Sequence, residues 1–197
     1  MRYKVTLTFL EPVLGTAPLD KEIYSTYIAE QTSKANGDEE VASIREDKGK
    51  TGFHRDEQGR PFIYDYLCKG FFKAACSMNR RIEGSESSKI KAFKKIIDGL
   101  VFIRERRLFF DLAGEMGELQ RPLRAETPQG ERVALACSET VPAGSKLTFT
   151  VEVLDDKTVP QSLLEEWLYY GRYNGLGQWR NARYGSFEYT LEPLRNG

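Results

Sequence analysis

Near the C-terminal end of the chain, Gly175-Leu176-Gly177-Gln178-Trp179-Arg180-Asn181-Ala182-Arg183-Tyr184-Gly185-Ser186-Phe187 gathers groups able to hold a phosphate and a base. A guanidinium is a planar fork of N–H donors that matches phosphate oxygens. Tryptophan and tyrosine offer flat faces on which bases stack. Glycines at 175, 177 and 185 permit backbone turns that a side chain would forbid. Arg172, with Tyr170 and Tyr173, extends the set upstream. Arginine interleaved with aromatics is the composition of a single-stranded nucleic-acid platform or of a small nucleotide pocket. The competing reading is a tight helix-to-strand connection whose rings pack inward or against a protein partner, since tyrosine and tryptophan also favour interfaces. A glycine-rich loop alone does not separate the two.

The second chemical candidate is His54, the chain's one histidine, in Gly52-Phe53-His54-Arg55. With an ordinary pKa near 6.5 it is suited to proton transfer, and Arg55 or Lys69 would stabilise a phosphorane in a metal-independent cleavage of RNA. Nothing in the sequence fixes His54 beside the glycine loop, so the chain reads more as a binder than as an enzyme. The acidic residues Asp38, Glu39, Glu40, Glu46 and Asp47 lack the spacing of an EF-hand loop and read as a solvated stretch. Cys68, Cys76 and Cys137 are an odd number without metal-ligand spacing, which predicts reduced thiols in a cytoplasmic protein. No metal and no cofactor is expected.

Lysine plus arginine and aspartate plus glutamate both number 29 among 197 residues, for a net charge of zero. A uniformly basic nucleic-acid binder is therefore excluded, and any such site must be a local patch. Near-zero charge also permits self-association. The 40% hydrophobic content suits a globular chain of one domain over residues 1–197. No apolar run approaches the roughly 20 residues of a membrane span, and Met1 to Leu10 lacks the pattern of a signal peptide.

The elements that must position these residues follow from periodicity. Tyr3, Val5, Leu7 and Phe9 alternate with polar residues, as do Leu147, Phe149, Val151 and Val153, and finally Phe187, Tyr189 and Leu191. Such alternation predicts strands with one buried face. Asp20 caps an expected helix carrying Ile23, Tyr24, Tyr27 and Ile28. A polar insertion follows over about 31–60, with one short helix around Glu39 to Arg45. Pro61-Phe62-Ile63 leads into a helix with Leu67, Phe71, Ala74, Ala75, Met78 and Ile82 on one face. Lys89 to Leu100 predicts a second helix, Leu100 to Leu112 strands broken by Arg104, Arg106 and Arg107, and Ala113 to Ala136 a loop or irregular hairpin. Pro160 opens a third helix, where its missing N–H costs nothing. The order implies an α+β fold, helices on one face of an antiparallel sheet.

Three segments together resemble the RAMP superfamily of CRISPR-associated proteins, and in particular the backbone subunit of type III effector complexes. Gly59-Arg60-Pro61-Phe62-Ile63-Tyr64-Asp65-Tyr66-Leu67-Cys68-Lys69-Gly70-Phe71-Phe72-Lys73 resembles the segment G-x-P-x-I-P-G-S-S-L-K-G that leads into a helix. Glu139-Thr140-Val141-Pro142-Ala143-Gly144-Ser145-Lys146-Leu147 resembles E-R-V-P-A-G-T-x-F, and the C-terminal loop resembles G-L-G-G-x-x-S-R-G-F-G. The resemblance implies a ferredoxin-like (RRM-like) core and an RNA guide whose backbone lies against Lys69, Gly70, Lys73, Gly175, Gly177 and Gly185. The family's Pro-Gly-Ser-Ser is Tyr64-Asp65-Tyr66-Leu67 here, which sets an aspartate beside a phosphate site, and its Ser-Arg-Gly is Asn181-Ala182-Arg183. No segment matches the aspartate loop with which some members cut RNA. The expected partners are RNA or a nucleotide, within a homo-oligomer or a CRISPR-type protein complex. The alternatives are a protein-interaction module of the kind a phage uses against host defence, and an endoribonuclease using His54.

Overall fold

The computed structural model describes residues 1–19, 50–127 and 130–194, and for 122–127 and 130–136 the backbone alone. The expected helix after Asp20 and most of the polar insertion lie outside the described residues.

Three strands with strict alternation form the centre. β1 (Arg2–Phe9) lies between β11 (Lys146–Val153) and β12 (Phe187–Leu194), antiparallel to both. Tyr3, Val5, Leu7 and Phe9 are buried, and so are Leu147, Phe149, Val151 and Val153 directly opposite. On the reverse face Thr6 and Thr148 share a hydrogen bond of 3.2 Å, and Glu152 is held between Arg2 (3.0 Å) and Arg104 (2.8 Å). The sheet continues through β8 (Arg107–Asp111), β6 (Pro61–Tyr64) and β5 (His54–Arg55), with β7 (Val101–Ile103) also on β11.

Three helices among the described residues connect these strands: α1 (Asp65–Asn79), α2 (Phe93–Leu100) and α3 (Gln161–Tyr169). Along the chain, β1, α1, β7–β8, β11, α3 and β12 make two interlocked β-α-β units. Their strands lie in the order fourth, first, third, second. A second sheet holds β2 (Val13–Leu14), β3 (Ala17–Pro18), β4 (Thr51–Gly52), β9 (Gly117–Thr127) and β10 (Gly130–Val141).

The core is a relay of rings. Phe53 meets Phe110, Phe110 meets Phe9, and Phe9 meets Phe187 at 6.1 Å. Phe187 meets Phe71, and Phe71 leads through Phe72 to Trp167. Such tilted and edge-on pairs add to the burial of apolar area. Trp167 is wholly buried, and its Nε1–H donates to Ser87 Oγ at 3.0 Å. The Ser87 hydroxyl donates to Glu166, whose carboxylate also accepts the backbone N–H groups of Glu86 and Ser87.

Three expectations are corrected. The buried face of α1 is Cys68, Phe71, Phe72, Ala75, Cys76 and Asn79. It is turned relative to the stripe ending at Met78 and Ile82, which are 42% and 59% exposed. The reason is Trp167, which draws Phe72 inward. α2 starts at Phe93 rather than Lys89, because Ala92 takes a left-handed φ of 51°. Where a loop or an irregular hairpin is expected, β9 and β10 pair regularly, in register from Gly130 opposite Thr127 to Thr140 opposite Gly117. Pro122 hides this pattern, yet an edge strand accommodates it.

Ser87→Ala leaves the Trp167 N–H buried without its acceptor. It is expected to cost about 1–3 kcal/mol of stability in urea denaturation, with the native secondary structure retained by circular dichroism.

Candidate nucleic-acid interface

The glycine loop is set by close backbone approaches. After α3 a 3₁₀ turn over Tyr170–Arg172 leads to Gly175. A Cβ on Gly175 would fall 1.7 Å from the carbonyl oxygen of Gly185, and one on Gly185 would fall 1.9 Å from that of Leu176. The loop thus crosses itself, sealed by Leu176 N–H donating to Gly185 O at 3.0 Å. Gly185 N–H donates to Pro12 O (2.9 Å), and the Gln178 side chain donates to Gly15 O (2.8 Å). At these positions glycine is a requirement of the chain's own packing.

Between the crossings Leu176 is buried in the core, Trp179, Arg180 and Tyr184 are half-buried, and Asn181, Ala182 and Arg183 are exposed. Trp179 and Arg183 take left-handed φ values of 51° and 69°, a strain that persists only where the surroundings fix it. The Trp179 and Tyr184 rings meet edge to face at 6.1 Å, and Arg121, from β9, lies 5.7 Å over Tyr184. Arg180 is half-buried and Arg183 exposed, and neither has a carboxylate partner among the described residues. Arg172 differs: it pairs with Glu188 at 2.8 Å and lies over Tyr169.

The α1 residues are placed otherwise. Lys69 donates to Asp98 O at 3.3 Å and covers the Phe102 ring, while Lys73 pairs with Asp98 at 2.6 Å. Both tie α1 to α2, and Lys69 also reaches β7, through contacts weak enough for a phosphate to displace. Gly70 is exposed inside the helix with nothing within 4 Å of a Cβ. A glycine there weakens the helix, and no packing among the described residues requires it. Asp65 pairs with Arg106 at 2.6 Å, which neutralises the negative charge at the helix start.

His54 sits on β5, at the other end of the strand order from β12. Its ring stacks on Phe62 at 5.6 Å and meets Tyr64 edge-on at 4.9 Å, and burial pushes its pKa down. The structure therefore does not bring His54 together with the glycine loop. Arg121 was not foreseen; its signal lay in a stretch read as a loop or an irregular hairpin. Also unforeseen is a cavity of about 540 Å³, lined by Met78, Ile82, Tyr169, Tyr170 and Tyr173. Among the described residues no group of three or more His, Cys, Asp or Glu converges as a metal site, and no helix is long and apolar enough to cross a membrane.

The arrangement has solved counterparts. A chain in the cryo-EM structure of type III-B Cmr-beta bound to cognate target RNA matches 97% of this chain at TM-score 0.56 and 10% identity. The fold is CRISPR effector-like. This chain spans 60% of that chain's length. A chain of a type IV-B CRISPR complex covers 100% of this chain and 93% of its own, at 13% identity and TM-score 0.48. No family model and no curated protein matches the sequence. At such identities the likeness concerns the fold alone.

Gly175→Ala and Gly70→Ala are expected to act in opposite directions. The first forces the loop crossing apart and lowers stability by at least about 1–3 kcal/mol. The second removes a helix-interior glycine and raises stability by about 0.5–1 kcal/mol; thermal and urea unfolding check both. His54 gives a pH prediction. Its folded pKa lies below the unfolded value, so its stabilising contribution is complete above about pH 6.5 and declines as pH falls through the lowered folded value. NMR titration of the ring should give a midpoint below 6.5.

Proposed function

We propose that this chain is a non-catalytic RAMP-like subunit, similar to the backbone subunit of CRISPR effector complexes. It binds the phosphate backbone of RNA with its C-terminal glycine loop and the Lys69-Gly70 helix turn. The interlocked β-α-β topology supports a ferredoxin-like core, and the likeness to a chain of an RNA-bound type III-B assembly supports the same reading. One observation carries it. Arg180 and Arg183 have no carboxylate partner among the described residues, on a loop fixed by its own backbone beside Trp179, Tyr184 and Arg121. Unspent guanidinium groups beside ring faces suit a strand of phosphates and bases. The neutral net charge agrees with a local site rather than a uniformly basic surface.

Gly70 fits the same reading. A helical glycine exposed and without a neighbour among the described residues lets an external backbone approach closely. A second reading, a protein-interaction module, has its own observation in the apolar cavity between Met78, Ile82, Tyr169 and Tyr173. The two are compatible, because a subunit of an RNA-bound assembly needs both kinds of surface.

The test is fluorescence anisotropy of a labelled single-stranded RNA across a salt series. The wild-type protein is expected to lose affinity as salt rises. Arg180→Ala with Arg183→Ala should weaken binding and flatten the slope of log K against log salt by about 1.4, two phosphate contacts at about 0.7 each on a single strand. Unchanged affinity and slope in the double variant would overturn the proposal.

A further inference from the structure

The edge of the seven-stranded sheet farthest in strand order from β12 carries another set of rings and cations, which the glycine loop does not use. β5, β6 and the first turn of α1 bring His54, Phe62, Tyr64 and Tyr66 into one run, and β8 adds Phe109. Phe62 meets His54 at 5.6 Å, Tyr64 at 5.3 Å and Phe109 at 5.5 Å. Tyr64 and Tyr66 stack nearly parallel, 5.6 Å apart and inclined by 19°. Three guanidinium groups lie over these rings: Arg107 over Phe62 (5.3 Å), Arg106 over Tyr64 (5.3 Å) and Tyr66 (5.9 Å), and Arg60 over Phe109 (4.5 Å).

A core cluster would close on itself, and this one opens outward. Exposure rises along the run, from Phe62 at 3% through half-buried Tyr64 to Tyr66 at 51%. Arg106 has a side chain 70% exposed although it is paired with Asp65. Arg60 is paired with Asp56, and Arg107 has no ion pair among the described residues. The carboxylates nearby are therefore spent, while the arginines keep N–H donors facing water. An apolar protein surface laid here would bury those donors unsatisfied. A polyanion carrying flat groups would satisfy both the cations and the rings.

We propose that this edge is a base-stacking site for single-stranded RNA, in which Tyr66 receives an unpaired base and Arg106 and Arg107 hold the adjoining phosphates. The site rests on the reading of the chain as an RNA binder, yet it is independent of the glycine loop. It gives the protein a contact that senses whether bases are present and unpaired, which phosphate contacts alone do not.

Two labelled probes of equal length separate the contributions: a single-stranded oligoadenylate and a ribose-phosphate strand without bases. The wild-type protein should bind the oligoadenylate more tightly. Tyr66→Ala should weaken oligoadenylate binding by about tenfold and leave the abasic strand unaffected. Tyr66→Phe keeps the ring and should retain binding, which excludes misfolding as the cause. If Tyr66→Ala leaves oligoadenylate binding unchanged, the site is overturned, whatever the glycine loop does. If Tyr66→Ala weakens it while Arg180→Ala with Arg183→Ala does not, this site stands and the glycine-loop reading falls. Wild-type protein that binds neither probe overturns both.

Discussion

The architecture depends on one close backbone crossing. Gly175 and Gly185 approach so nearly that a methyl group on either would overlap the opposite strand of the loop. The crossing joins the end of α3 to the start of β12, and through Pro12 and Gly15 it fastens both to the connection that leads into the smaller sheet. It also fixes a loop in which Trp179 and Arg183 take left-handed conformations. The buried Asn174 Oδ1 and Ser186 Oγ, flanking the crossing, have no hydrogen-bond partner among the described residues. Unsatisfied polar atoms and strained backbone together are tolerated where a loop's shape matters more than its contribution to stability.

A chain of zero net charge presents cations only where it declines to pair them. Some of the pairing is local, as where Arg2 and Arg104 share Glu152 on the central sheet. At both candidate contacts arginines also sit against aromatic rings: Arg121 on Tyr184, and Arg106, which is paired with Asp65 as well, on Tyr64. A guanidinium over a ring keeps its edge free for an anion. The open face of the central sheet does not share this character. It is built of threonines and of charges of both signs, so the RRM-like arrangement of rings on the sheet surface is not what these residues offer.

Much of the fold was legible because the strands of the central sheet alternate without a break, and alternation has one physical cause. β1, β11 and β12 fall where Tyr3 to Phe9, Leu147 to Val153 and Phe187 to Leu191 place them. The face of α1 was less legible, since a helix packed against both a sheet and Trp167 buries a wider arc than its most apolar stripe. The regularity of the β9–β10 pairing was hidden by Pro122 and by mixed polar residues, whose strand character shows in the pairing register. At the site, the sequence marked the loop's glycines as turns and its arginines as candidates. That two of the glycines are needed to pass one another, and that Asp65 is neutralised by Arg106, depend on contacts between distant residues. The aromatic run on β5 and β6 was visible only as separate letters in strands.

The central claim is that this fold holds RNA through phosphate contacts at fixed cationic loops. The most direct measurement is the nucleic-acid content of the protein purified from cells, read as the ratio of ultraviolet absorbance at the base and protein maxima, at low and at high salt. The account predicts RNA that co-purifies at low salt and leaves as salt rises, because phosphate contacts release counterions. Protein that emerges free of nucleic acid at low salt, and ignores added RNA, would contradict it.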